Sequence, residues 1–436
     1  MFSDKISDYF EGVAAKYLSA VDSEPDSSNQ HEIGGLVRAG FKPYLGDGQN
    51  KYHYRARQVY ISDNNDEPLT CDSMVTWYGA TRKGDPNRRP EFKLYYRDSI
   101  VTESFGEGDF FLIAKLRDGV LSRLDGLREL DSYQEIDGEL LMVFTPSGSS
   151  IEHQLRAMFG LDSVGTKFNS GKLDAVSMLL PLRMMLEDLG VEVETKPSRG
   201  SDWLDLLLHH FGGEVFPTTS VFSQFARDSI AEDVSPIEMP DATLMHWMEQ
   251  EESLFRIYER HIVQKRLKAG FGDDGQDVDD FISFSLSVQN RRKSRVGHAF
   301  EGHLECLFNL HDLKFEQGRG KGKVTENNKR PDFIFPSFAA YHNESFPTAS
   351  LMMLGAKTTL KDRWRQVPSE ANRISEKHLV TMEAAISKTQ FEEMSSQQLQ
   401  LVVPTPIQST YSDDVKSQLM DVHGFIRMIR DIQGEG

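Results

Sequence analysis

Arg330-Pro331-Asp332-Phe333-Ile334-Phe335 and, further on, Leu351-Met352-Met353-Leu354-Gly355-Ala356-Lys357 each set a short apolar run beside a charged residue. Runs of this length, bounded by turn-prone residues, predict buried strands. Pro331 stiffens the chain ahead of Asp332 and Lys357 closes the second run, so two adjacent strands can present an acid and a base side by side. Around them, Leu244 to Gln264 and Val278 to Gln289 carry apolar residues at helical spacing, and the polar stretch from Lys361 onward predicts more helix. Helices flanking a few buried strands make this half of the chain α/β or α+β.

The first half reads differently. Tyr9, Phe10, Val13, Ala14, Tyr17 and Leu18 have i, i+3, i+4 spacing and predict an amphipathic helix. After it, Tyr52 to Tyr60, Ser73 to Tyr78, Phe92 to Tyr96 and Phe110 to Leu116 predict strands of a compact sheet or barrel. The polar interval Glu194 to Asp202, with Pro197 and Gly200, separates the halves. The expected organisation is a domain over 1–194, a linker over 195–202 and a domain over 203–436. With 49 basic and 67 acidic side chains the formal charge is −18, so any polyanion site must be a local basic patch. Cys71 and Cys306 are too few for a disulfide framework. Acids stand where a signal peptide would be basic, and no apolar run approaches a membrane span. The expectation is a cytoplasmic protein with no membrane partner.

Several signals dissolve on inspection. Asp273, Asp274, Asp277, Asp279 and Asp280 lack the ligand spacing of a calcium loop and read as a helix lead-in. His298, His303 and Cys306 are not spaced as zinc ligands. Gly318-Arg319-Gly320-Lys321-Gly322-Lys323 lacks the Gly-Lys-Ser/Thr of a P-loop and reads as a basic loop touching phosphates. Three basic clusters remain: Arg291, Arg292, Lys293 and Arg295; Arg319, Lys321, Lys323, Lys329 and Arg330; and Lys357, Lys361, Arg363 and Arg365. Interleaved with them are Glu301, Asp332 and Glu370. Carboxylates for Mg²⁺ and a lysine for the transition-state charge are what phosphodiester hydrolysis requires.

Pro-Asp followed 25 residues later by a strand-end Lys outlines the restriction-nuclease metal motif, with one departure. The position two before the Lys, usually acidic, is Gly355, which binds no metal. Glu370, 13 residues past Lys357 in a polar stretch read as helical, can return to the same site. Taken with Asn290-Arg291-Arg292-Lys293-Ser294-Arg295, Ala340-Tyr341-His342 and Lys357-Thr358-Thr359-Leu360-Lys361-Asp362-Arg363-Trp364-Arg365-Gln366, the chain from about Trp203 onward resembles the catalytic domain of EcoRII-type restriction endonucleases. The resemblance implies a PD-(D/E)XK fold and a homodimeric, Mg²⁺-dependent nuclease cutting double-stranded DNA at a CC/GG-containing, CCWGG-like site. It implies Asp332, Lys357 and Glu370 as the active centre, Asp332 and Glu370 as metal ligands, and Glu301 as an accessory acid. Lys361, Asp362 and Arg363 match the family's recognition element, where Arg suits guanine O6 and N7 and Asp suits cytosine N4. Arg365, Arg291, Arg292, Lys293 and Arg295 are the accompanying DNA contacts, the last four suited to phosphates.

The N-terminal half is similar to the same family's effector-binding domain, a mostly β DNA-binding pseudobarrel with helices. His31 lies in its Gln30-His31-Glu32-Ile33-Gly34 match, and Arg82, Lys83, Arg88 and Arg89 fall in its basic segment. The resemblance implies that this domain binds a second copy of the site, and that a cognate DNA methyltransferase accompanies the enzyme. Other readings stay open: Thr359 with Asp362 as a helix capping box, Glu301 and Glu305 as a solvated helix face, and the whole chain as a catalytically decayed sequence-specific DNA-binding regulator. Pro368 predicts a kink or a helix restart before Glu370.

Overall fold

The computed structural model describes residues 5–23, 31–47, 50–63, 67–80, 91–118, 120, 136–161, 163–173, 179–191, 200–230, 234–272 and 275–434. They cluster into two units, one of Ser3–Glu194 with Ala384–Gln390, the other built from Thr195–Glu383 and Phe391–Gly436.

The first unit is an open eight-stranded mixed sheet. Its strands are β1 (Phe10–Tyr17), β2 (Glu32–Gly34), β3 (Tyr52–Tyr60), β4 (Leu69–Ala80), β5 (Glu91–Tyr95), β6 (Phe110–Leu116), β7 (Gly138–Thr145) and β8 (Asn169–Ser170). The spatial order is β2-β5-β4-β3-β7-β6-β1-β8. All neighbours are antiparallel except β3 and β7. Helix α1 (Ser150–Phe159) begins at Ser149, whose hydroxyl accepts the Glu152 amide. Phe144 stacks between Phe105 and Phe111, at 4.3 and 4.6 Å between centroids.

Phe10–Tyr17 is a strand, which corrects the helix expected there. Six of its eight residues are buried, because β1 lies inside the sheet between β6 and β8. A strand covered on both faces loses its alternating pattern, and its apolar residues then imitate helical spacing.

The second unit joins long helices to a five-stranded sheet. The helices are α2 (Gly200–Phe211), α3 (Thr219–Asp228), α4 (Pro240–Ala269), α5 (Val278–Leu310) and, near the C-terminus, α6 (Val422–Gln433). Leu207, Phe222, Leu254, Phe255 and Tyr258 pack α2, α3 and α4 together. The sheet contains β9 (Glu316–Gln317), β10 (Phe333–Phe335), β11 (Met352–Lys357), β12 (Lys377–Thr381) and β13 (Leu399–Val402), ordered β13-β12-β11-β10-β9. β11, β12 and β13 are parallel and β10 is antiparallel to β11. Phe300, Leu304, Leu307 and Phe308 of α5 are buried, and Phe308 meets Phe333 and Phe335 edge-on.

The stretch Lys361–Ser369 is a 3-10 segment rather than the helix expected, with Pro368 inside it. Trp364 and Val367 are buried while Arg363, Arg365 and Gln366 are exposed, the i, i+3 face of a three-residue turn. Its N-cap is Leu360, with no side-chain cap, rather than the Thr359 read as a cap from the sequence. Glu370 lies just past its end in extended conformation, which corrects its placement on a helix.

Candidate active site

The antiparallel register of β10 and β11 pairs Phe333 with Leu354 and Phe335 with Met352. Continued by one residue, it sets Asp332 across from Gly355 and brings Lys357 to the same end of the sheet. Asp332 Oδ2 accepts from Lys357 Nζ and from the Ala356 amide, both at 2.7 Å. The two side chains are partly open to solvent, 18% and 24% exposed, so a ligand can reach them. Gly318 makes room for this arrangement: a Cβ there would meet the Pro331 carbonyl oxygen at 2.3 Å.

Glu370 completes the cluster. Burial, then the Asp332 charge, push its carboxyl up to about 7 against the opposing pull of Lys357, Lys329 and Lys377. A half-buried carboxylate in the field of a second one is a donor set that a divalent cation relieves. Among the described residues no group of three or more His, Cys, Asp or Glu forms a metal cage. Mg²⁺ needs none, since it keeps several waters and takes one or two carboxylates. The pair Asp332 and Glu370 therefore fits it.

Glu301, on α5, is paired with Arg319 of the glycine-rich loop. Lys323 of that loop pairs with Glu316. Arg291, Lys293 and Arg363 line one concavity with Ser287, Asn290 and Ser294, so the basic cluster on α5 and the 3-10 segment share a surface. Arg292 pairs with Glu259 and Arg365 with Glu393. Arg295 departs from the expectation of an exposed phosphate contact. It is buried, lies 3.0 Å from Glu251, also pairs with Glu252 and stacks 3.9 Å over Phe255. Burial would raise the Glu252 carboxyl, but the Arg295 and Arg256 guanidiniums hold it down at about 2. Lys361 has φ +32 at the head of the 3-10 segment, and the Leu360 amide is held by Glu383 at 2.7 Å. The side chain of Asp362 lies outside the described residues, as do Arg82, Lys83, Arg88 and Arg89. His31 in the first unit is 3.2 Å from Asp98 and edge-on to Tyr96.

Sequence reasoning missed Lys377 and Glu326. Lys377 is buried on β12 with its ammonium on the Ile374 carbonyl, and burial pulls its pKa down. Neither residue belongs to a motif, and only the tertiary fold brings them near Glu370.

Residues 255–426 match the family model described as EcoRII C terminal. Asp332, Lys357, Glu370 and the 3-10 segment all fall inside the matched stretch. The chain is 39% identical over 211 residues to the type II restriction enzyme EcoRII of Escherichia coli, covering 48% of this chain and 50% of that one. It is 36% identical over 110 residues to the type II restriction enzyme SsoII of Shigella sonnei, covering 24% of this chain and 35% of that one. The chain thus spans half the length, or less, of these curated relatives. Among solved structures, metal-depleted Ecl18kI in complex with uncleaved DNA is similar at TM-score 0.38 and 18% identity, over 54% of this chain and 85% of that one. The complex of the restriction endonuclease PspGI with substrate DNA is similar at TM-score 0.39 and 16% identity, over 56% and 95%. No helix among the described residues is long and apolar enough to cross a membrane.

Proposed function

We propose that the protein is a type II restriction endonuclease of the EcoRII kind, hydrolysing phosphodiesters of double-stranded DNA at a short CC/GG-containing, CCWGG-like site with Mg²⁺. The observation that carries this reading is the 2.7 Å contact of Lys357 with Asp332, with Glu370 in the field of both. Asp332 and Glu370 would hold the ion, which when bound polarises the scissile phosphate and lowers the pKa of a water. Lys357 orients the attacking water and neutralises charge that develops on the phosphoryl oxygens. Its β11 backbone and the Ala356 amide keep Asp332 aimed while this happens. Glu301 serves as an accessory acid.

Lys361, Asp362 and Arg363 would read the bases, with Arg363 donating to guanine and Asp362 accepting from cytosine. Arg291, Arg292, Lys293 and Arg365 would fix the register on the phosphates. His31, Arg82, Lys83, Arg88 and Arg89 would bind a second copy of the site as effector. A homodimer through the C-terminal domain supplies one active centre per strand. The enzyme would act in the cytoplasm beside a cognate DNA methyltransferase.

The test is digestion of unmethylated phage DNA with purified protein and Mg²⁺, with and without short duplexes carrying candidate sites, alongside Lys357→Ala. Discrete ends at one CC/GG-containing site, absent with the variant, are expected. Cutting that survives in Lys357→Ala overturns the assignment. Site-specific binding without any cutting would favour the decayed regulator.

A further inference from the structure

Neither acidic residue of the centre is carried by a helix. Asp332 follows a turn in which Asn327 and Asn328 have φ of +55° and +58°, and Glu370 is followed by Ala371 at φ +49°. Asn tolerates left-handed backbone and Ala rarely adopts it, so the turn after Glu370 in particular is held in place by its surroundings.

One part-buried pair ties the two loops together. The hydroxyl of Tyr341, a residue 1% exposed, lies 2.6 Å from each carboxylate oxygen of Glu326, to which it donates. Glu326 also accepts the Asn372 amide at 3.1 Å, and the Tyr341 hydroxyl oxygen accepts the Arg373 amide at 3.3 Å. Glu326 belongs to the turn leading to Asp332, six residues before it, while Asn372 and Arg373 come two and three residues after Glu370. The Arg373 guanidinium adds bonds to the Asn343 and Phe346 carbonyls at 3.1 Å. Burial would raise the Glu326 carboxyl, but the Tyr341 hydroxyl and backbone amides outweigh it and keep the group charged.

We propose that the Glu326–Tyr341 pair is a positioning device for the metal site, setting the separation of the Asp332 and Glu370 carboxylates. It rests on the reading of those two carboxylates as the Mg²⁺ ligands. The pair itself touches no reacting atom. Partners that orient ligating carboxylates characteristically govern ion affinity.

The experiment titrates Mn²⁺ into the full-length protein, counting free ion by electron paramagnetic resonance, for wild type, Tyr341→Phe, Glu326→Gln, the double variant and Asp332→Ala. The Mg²⁺ dependence of cleavage is measured in parallel. Each single variant is expected to weaken Mn²⁺ binding and raise the Mg²⁺ half-saturation about 10- to 100-fold, with cleavage largely recovered at saturating Mg²⁺. The double variant should be no worse than the singles, since both remove one shared contact. Glu326→Gln keeps the buried volume and an acceptor, so it decides the matter if Tyr341→Phe does not fold. Unchanged Mn²⁺ affinity in the folded pair variants, with Asp332→Ala abolishing binding, overturns the positioning role alone. Unchanged affinity in Asp332→Ala overturns the metal-site reading beneath it.

Discussion

A Cβ on Gly355 would stand 3.1 Å from Val367 Cγ2 and 3.3 Å from Leu379. The place of the usual motif's carboxylate is therefore filled by the buried underside of the 3-10 segment, and a second acid has no room to enter from here; the one proposed above is Glu370. Restoring the usual motif with Gly355→Asp should overpack this contact and bury a charge, lowering stability by about 1–3 kcal/mol. Denaturant unfolding of the variant measures this. Gly355→Asp should also fail to restore cleavage in Glu370→Gln, and recovered cleavage would contradict the steric account.

Arg295 and Lys293 stand two residues apart on one helix but face different fates. Removing the Arg295 side chain takes one partner from each of the Glu251 and Glu252 carboxylates, leaving them to His303 and Arg256, and Arg295→Ala should destabilise the fold by about 3–5 kcal/mol. Lys293→Ala should leave the unfolding midpoint alone, weaken DNA binding evenly across sequences and reduce the slope of log affinity against log salt by about 1. Equal thermal stability of the two variants would undo this division.

Replacing Arg363 with Ala should remove roughly 1–3 kcal/mol of discrimination between the correct site and one changed at a G·C pair. Competition binding without metal gives the ratio directly. An unaltered ratio would leave Arg363 as a phosphate contact only.

His378, on β12, is 1% exposed against Phe425, and neither ring nitrogen finds a hydrogen-bond partner among the described residues. Burial pushes its pKa down from 6.5 to about 4. The unfolded chain then takes up a proton that the folded chain refuses. Stability is accordingly intact above pH 6.5 and is lost as pH falls toward 4, by roughly 3 kcal/mol for a shift of this size. His378→Leu should flatten that loss in urea unfolding at pH 7.5, 5.5 and 4.5. Parallel pH curves for the two proteins would remove His378 as its source.

The local signals were readable in the residues, and the long-range ones were not. Phe333–Phe335 and the run to Lys357 are strands because uninterrupted apolar residues between turn formers leave few other options, and this places Asp332 and Lys357 at strand ends. Phe110–Leu116 forms a strand with those bounds for a similar reason, and Tyr52–Tyr60 does so through apolar residues alternating with His53, Arg55 and Arg57. Phe10–Tyr17 misled because a strand covered on both faces has no polar side to reveal its period. The conformation at Glu370 was not legible, because Pro368 and the packing of Trp364 and Val367 select a 3-10 path that propensity does not specify. Arg295 looked like its basic neighbours in the sequence, and only Glu251 and Glu252, more than 40 residues away, draw it inside.

The parallel pairing of β3 with β7 joins Tyr54 to Gly138 and Tyr60 to Phe144, spanning 84 positions of chain. During synthesis, at about 5–20 residues per second, one edge of β3 waits roughly 4 to 17 s for its neighbour to leave the ribosome. Its other edge is covered early by β4, a hairpin partner that follows it at once. The nascent N-terminal half therefore carries this exposed strand edge, with three Tyr residues, until residue 145 has emerged. That interval is when the chain is most open to strand addition by other chains, and slower growth or chaperone occupancy would act there first.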